Sequence, residues 1–426
     1  MQLAWSANCT ALNMDTNSAD SRPPALILGS SLTALGVLRS LGRAGIPTYS
    51  LCGPQELPAK SRWYQAAPRQ GKNIPDPEEL PEYLRGLPAQ RMVLIPCSDD
   101  WARAVGYLSG DLRTQFPAAV AHGSVIDVMT DKWLFAQLLQ RENVPHPTTL
   151  RVGSLEELAA LPEASFQNMF LKPLDSQTFS ARSGTKAYEL TGRDHALQIM
   201  RAMQAGGAGA FPILLQEFIP GPASSYYLVD GFVDSGGCTR AVIARRRHRQ
   251  YPIPFGNSTL SETIAGAQVE DPIQQLSRIW KATGYRGIFD AEFKLDPRDG
   301  RYKLVEINPR PWWFIEFASR CGVELCRMAY LDALGLPVES VSQYPVGRRC
   351  VYMLYDFNSH RTTDPGIAGF ARWIRSLRKT EDIVYCGDDP HPAIFLIGSK
   401  LKKALTTRAP RTQPSLDRKK TTLVTR

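Results

Sequence analysis

The chain alternates between short, wholly apolar runs and stretches with helical period. Ala25-Leu26-Ile27-Leu28 is apolar throughout, stops at Gly29, and passes through Ser30-Ser31 into a helical pattern over about 33–44. A second run follows Gly45-Ile46-Pro47 and ends near Leu51. A third is Met92-Val93-Leu94-Ile95, with Asp99 opening a helix behind it. Apolar runs without polar alternation fit strands covered on both faces, as in a parallel sheet with helices between its strands. Residues 23–125 therefore predict an α/β unit. The dinucleotide fingerprint G-x-G-x-x-G is missing, because two serines follow Gly29, so the pattern gives no argument for NAD.

From about residue 126 the pattern changes. Thr130 caps a helix running to about Glu142, which Val144-Pro145-His146-Pro147 stops. Ser154 and Glu157 form a capping box. Phe170-Leu171-Lys172-Pro173 ends a strand, Asp194 opens a helix, and Ile213–Ile219 is a strand broken by Pro220-Gly221-Pro222. Ser225–Val233 and Cys238–Gln250 predict a hairpin, and Ile288–Leu295 with Arg301–Asn308 a second one. Between them, Asp271-Pro272 starts a helix that Gly284 ends. Mixed strands and helices predict an α+β domain over 126–340. Residues 1–22 read as a flexible leader, 341–400 as a C-terminal accessory segment, and 401–426 as a basic disordered tail.

Composition narrows the class without naming a function. With 426 residues, 43% hydrophobic and 21% charged, the chain is of ordinary globular make-up, and collagen-like, coiled-coil and wholly disordered readings fall away. No run approaches the roughly 18 apolar residues of a membrane span. The net charge of +9 is local: nine Lys and Arg lie between Lys400 and Arg426 against one acid, Asp417. Such a tail can touch nucleic acid or anionic lipid, but a solvated end is the reading preferred here, with no nucleic-acid or membrane partner. Eight scattered cysteines without a C-x-x-C spacing predict reduced thiols in a cytoplasm. No basic residue precedes Arg22, so no signal peptide is expected.

The second hairpin carries the chemistry. In Asp290-Ala291-Glu292-Phe293-Lys294 and Leu304-Val305-Glu306-Ile307-Asn308-Pro309-Arg310, alternate residues share a face. Pairing Leu295 with Arg301 sets Asp290 opposite Glu306, with Glu292 one diagonal step away. Carboxylates and an amide crowded together repel unless a cation sits between them, and their hard oxygens suit Mg²⁺ or Mn²⁺ rather than zinc. Arg310 beside such an ion points to phosphate chemistry. A solvated charged face has the same spacing, and spacing alone leaves both open. The run Arg245-Arg246-Arg247-His248-Arg249 either grips a phosphate or carboxylate or guards a surface strand edge.

Several motifs agree in order. Glu292-Phe293 followed by Glu306-Ile307-Asn308-Pro309-Arg310 resembles the magnesium signature of the ATP-grasp superfamily. Thr130-Asp131-Lys132, the Lys172 strand and Gln216-Glu217-Phe218-Ile219-Pro220-Gly221 resemble its other nucleotide motifs. Arg249-Gln250-Tyr251-Pro252 with Phe255-Gly256, and Gly284-Tyr285-Arg286-Gly287, are similar to its carboxylate–amine ligase branch, near D-aspartate ligases and carbamoyl-phosphate synthase large chains. The resemblance covers roughly 23–340. It implies a Rossmann-like pre-ATP-grasp domain before a two-lobed ATP-grasp domain. It implies that Lys132 and Lys172 contact ATP phosphates, that Glu217 and the backbone of Phe218 and Ile219 hold adenine, that Glu292, Glu306 and Asn308 bind magnesium, and that Arg310 stabilises the phosphoryl group. The implied activity joins a small-molecule carboxylate to an amine through an acyl phosphate. A carbamoyl- or carboxy-phosphate-forming enzyme and a non-catalytic nucleotide-binding module are the alternatives, and a homo-oligomer is left open. Two departures stand out. The loop 175–184 has a single glycine, Gly184, where the family's phosphate loop is often glycine-rich, and Ala223-Ser224 occupy the place where an acid often meets ribose.

Overall fold

A computed structural model describes residues 22–69, 71, 74–88, 91–173, 187–205, 211–253 and 256–406. The leader up to residue 21, the loop 175–184, Phe255 and the tail from residue 407 lie outside the described residues.

Three short parallel strands open the chain: β1 (Ala25–Leu28), β2 (Thr48–Leu51) and β3 (Val93–Pro96), in the order β2-β1-β3. All four residues of β1 are buried, as a central strand covered on both faces requires. The helix Leu32–Arg43 packs on this sheet through Ala34, Val37, Leu38 and Leu41, and Ser31 caps it by accepting from Thr33 N at 3.2 Å.

The second sheet is antiparallel. It contains β4 (Thr149–Val152), β5 (Met169–Pro173), β6 (Tyr188–Glu189) and β7 (Ile213–Glu217) in the order β4-β7-β5-β6. Leu171, Ile213 and Leu215 enter a core with Leu158, Phe166 and Met200, which leaves Lys172 and Gln216 on the other face.

The largest sheet has seven strands. They are β8 (Tyr226–Val233), β9 (Thr239–Tyr251), β10 (Asn257–Thr263), β11 (Gly287–Leu295), β12 (Tyr302–Asn308), β13 (Arg349–Val351) and β14 (Thr380–Asp382). Their order is β12-β11-β8-β9-β10-β13-β14, so both predicted hairpins form and residues beyond 341 extend the same sheet. Phe289, Ala291 and Phe293 pack with Leu276, Ile279 and Trp280 of the helix Glu270–Thr283, and the intervening Asp290, Glu292 and Lys294 take the polar face.

Two local features differ from the sequence reading. The β11–β12 turn uses one residue more than expected, pairing Leu295 with Tyr302, and a bulge between Glu292 and Phe293 adds another. Glu292 therefore lies directly opposite Glu306, and Asp290 opposite Asn308. The arginine-rich strand β9 is the middle strand of the sheet, not an edge, and its odd positions are inward and paired. Arg245 meets Asp230 at 2.5 Å, Arg247 meets Glu292 at 2.8 Å, and Arg249 meets Asp356 at 2.7 Å.

The Gly284–Gly287 stretch is structural. Gly284, at φ 65°, closes the helix before it. Tyr285 stacks on Trp280 at 4.5 Å and donates to Ile288 O at 2.6 Å. None of the seven described cysteines is in a disulfide.

Candidate active site

The site forms where the polar face of β11 and β12 meets the uncovered face of the four-stranded sheet. A cleft of about 630 Å³, open to solvent, is lined by Lys132, Lys172, Gln216, Glu306, Asn308 and Asp99, among others. Lys132 starts the helix Lys132–Arg141, whose cap Asp131 accepts from Trp133 N and Leu134 N at 2.8 Å each. Lys172 donates to Gln216 Oε1 at 3.2 Å across β5 and β7. Both lysines and two of the proposed metal ligands thus share one space.

Glu306 opens to this cleft, with protein around its remaining sides. That surrounding protein, and next the opposed Glu292 carboxylate, hold its carboxyl above the usual range, while Lys172 and Lys132 pull the other way. Glu292 accepts from Arg247 Nη2 at 2.8 Å. Asn308 is oriented on both sides: its Nδ2 donates to Asp290 Oδ2 at 2.9 Å, and its Oδ1 accepts from Arg310 Nη2 at 3.1 Å. Burial, then Asp230, push Asp290 well above the ordinary carboxylate range. Among the described residues no group of three or more His, Cys, Asp and Glu side chains is gathered for a metal. The expected donor set is instead two carboxylates and an amide. These hard oxygens, with two acids facing each other, fit Mg²⁺.

The segment expected to meet adenine, Glu217 to Ile219, forms a hinge that begins at the last residue of β7. Glu217 accepts from Thr148 N at 2.9 Å and pairs with Lys303 at 3.4 Å and with Arg298. Phe218 N donates to Asn168 O at 2.6 Å, and Ile219 O accepts from Lys294 Nζ at 2.6 Å. Burial lowers the Lys294 ammonium to about 8. Beside the hinge a second hollow, about 690 Å³ including open solvent, is lined by Phe218, Tyr226, His248, Gln250 and Lys294.

Two contributors escaped the sequence reading. The sequence marks Asp99 only as a helix start, yet it pairs with Arg310 at 2.7 Å. Arg247 lies in a run whose role its sequence leaves ambiguous. Its odd-numbered alternation with Arg245 and Arg249 carried a signal for one shared face; the central placement of the strand did not show.

Comparison with known proteins agrees with this geometry. No family model matches the chain. It is 24% identical over 330 residues to the D-aspartate ligase of Enterococcus faecium, covering 72% of this chain and 76% of that protein. It is 23% identical over 268 residues to the arginine-specific carbamoyl phosphate synthase large chain of Geobacillus stearothermophilus, covering 61% of this chain and 24% of that one. Among solved structures, the biotin carboxylase domain of Hydrogenobacter thermophilus 2-oxoglutarate carboxylase, in complex with MgADP and bicarbonate, aligns with a TM-score of 0.58 at 16% identity, over 78% of this chain and 74% of its own. The chain has the ATP-grasp fold. The relatives it resembles in sequence include a ligase, in keeping with what its motifs led one to expect. Among the described residues no helix is long and apolar enough to cross a membrane.

Proposed function

We propose that the protein is an ATP-dependent carboxylate–amine ligase that forms an amide through an acyl phosphate. The observation that carries this reading is the direct opposition of Glu292 and Glu306 on paired strands, with Glu306 and Asn308 in a cleft shared by Lys132 and Lys172. In this reading the three-stranded parallel unit is the pre-ATP-grasp domain, and the four- and seven-stranded sheets enclose the nucleotide.

Lys132 and Lys172 meet phosphate oxygens, supplying cations to a ligand that carries several negative charges. The backbone from Glu217 to Ile219 faces adenine, in a conformation fixed by Thr148, Asn168 and Lys294. Glu292, Glu306 and Asn308 hold Mg²⁺, which when bound neutralises phosphate charge during transfer. Arg310 lies beside Asn308 and stabilises charge on the transferring phosphoryl group. A substrate carboxylate oxygen bonds to the γ-phosphorus as the bond to ADP breaks. The amine nitrogen then bonds to the acyl carbon, phosphate leaves, and the nitrogen loses its proton. The relatives' substrates, D-aspartate among them, head the panel to be tested.

The test is ADP release with MgATP across paired acids and amines. Amine-dependent amide formation supports the reading. ADP release stimulated by bicarbonate, with no amide, transfers the protein to carboxy-phosphate chemistry. Glu306→Ala is expected to lower turnover by about 100-fold or more, and unchanged turnover would remove the metal assignment.

A further inference from the structure

We propose that Asp99, contributed by the N-terminal unit, is a positioning residue that sets the guanidinium of Arg310 for the phosphoryl-transfer step. The proposal rests on the ligase reading above and concerns a residue outside the ATP-grasp motifs.

Topology puts Asp99 where a parallel sheet presents functional groups. The strands run β2-β1-β3, with β1 pairing both neighbours in parallel, so the chain turns to opposite sides of β1 to reach them. The crevice beyond the carboxyl ends of β1 and β3 is then a topological switch point, the usual ligand-binding place in open α/β sheets. Gly29 ends β1 with φ at 128°, and a Cβ there would stand 3.3 Å from Cys97 Cβ. Glycine therefore lets the two strand ends close together. Ser98 caps the helix Asp99–Gly106 by accepting from Trp101 N at 3.3 Å, which fixes Asp99 as its first residue. From there Asp99 reaches the cleft that Lys132, Lys172, Glu306 and Asn308 also line.

The contact is a fork. Arg310 Nε donates to Asp99 Oδ1 at 2.7 Å, and Nη2 donates to Asp99 Oδ2 at 3.2 Å. Nη2 also donates to Asn308 Oδ1 at 3.1 Å and Nη1 to Pro311 O at 3.0 Å. Asn308, the last residue of β12, and Pro311 lie within two positions of Arg310 on the same segment. Among the described residues, Asp99 is the partner that hydrogen-bonds the guanidinium from outside this segment, 211 positions away in sequence at the start of a helix of the N-terminal unit. Two-point pairing fixes both the position and the tilt of the plane, which an isolated point charge would not. Asp99 keeps a third of its side chain exposed, so replacing it does not open a core.

The test compares Asp99→Asn and Asp99→Glu with the wild type in the full chain. Asp99→Asn is expected to lower kcat by about 10- to 100-fold, with KM for MgATP within about threefold of wild type and an unchanged melting temperature. Asp99→Glu, which keeps the charge one methylene further out, recovers part of the loss. On an Arg310→Ala background, Asp99→Asn adds nothing, because the group it positions is gone. Wild-type kcat in Asp99→Asn, or an equal further loss on the Arg310→Ala background, overturns the proposal. If the wild type releases no ADP with any acid or amine, it is the ligase reading that fails. The fork is then read by thermal shift with MgADP and aluminium fluoride, a mimic of the phosphoryl group in flight. Extra stabilisation over MgADP alone that is lost in Asp99→Asn supports positioning, and stabilisation retained in Asp99→Asn overturns it.

Discussion

Asp296 shows how firmly a single carboxylate anchors the hinge side of the cleft. It is fully buried, accepts from Arg298 N at 3.0 Å and Arg298 Nε at 2.8 Å, and pairs with Lys303 at 2.7 Å. Arg298 and Lys303 also hold Glu217, so one cluster ties the β11–β12 turn to the hinge. The Arg298 side chain, followed by Lys303, depresses the Asp296 carboxyl below its ordinary range. A depressed carboxyl stabilises the fold above the unfolded-state value, about 3.9, and that contribution is lost as pH falls through it towards the folded value. Asp296→Asn is expected to cost about 1–3 kcal/mol at pH 7. The gap to wild type should begin to narrow in urea unfolding as pH is lowered from 5 to 3, and a gap constant with pH would refute the charge argument. At this scale the sequence was a fair guide to Glu292, Glu306 and Asn308, because strand alternation and local spacing place them together. It could not show Asp99 or the Arg247–Glu292 pair, whose partners lie 211 and 45 positions away.

Elements were legible where the pattern is local and misread where neighbours come from afar. Both hairpins were readable from their turns, whereas the central position of β9 depends on β10 and β13 pairing beyond it. The β12 bulge left no mark in the apolar spacing, and together with the longer turn it shifts Glu306 from Asp290 to Glu292. The two glycines flanking Tyr285-Arg286 make a test of element-level reasoning. At Gly287, φ is 116° and a Cβ would lie 2.8 Å from Ala119 O, where the N-terminal unit touches the large sheet. At Gly284, φ is 65° and a Cβ would meet open space. Gly287→Ala is expected to cost about 2–4 kcal/mol and Gly284→Ala about 1 kcal/mol, read by denaturant midpoints. Equal costs would mean that the contact with Ala119 yields freely.

Across the whole molecule, Arg39 holds the N-terminal unit to the last third of the chain. Its side chain is fully buried in the helix Leu32–Arg43, pairs with Asp389 at 2.9 Å and Glu316 at 3.2 Å, and donates to the carbonyls of Ile383 and Val384. Asp389 also accepts from Arg62 N at 2.9 Å. Composition and periodicity make Arg39 look like an ordinary polar position of an amphipathic helix, because its partners lie more than 270 residues downstream. Arg39→Met is expected to cost about 3–5 kcal/mol, since it strands buried carboxylates. It should also speed proteolysis within 383–390 relative to the wild type, and an unchanged cleavage rate there would show that other contacts hold the segment.

The same clasp sets a schedule for biosynthesis. Arg39 leaves the ribosome 350 positions before Asp389, and at roughly 5–20 residues per second its counter-ion arrives about 20–70 s later. Until Glu316 and then Asp389 emerge, the nascent front unit carries a guanidinium that is first unpaired and then half-paired where its interior should be, so its final packing waits until translation of the rear has passed the clasp.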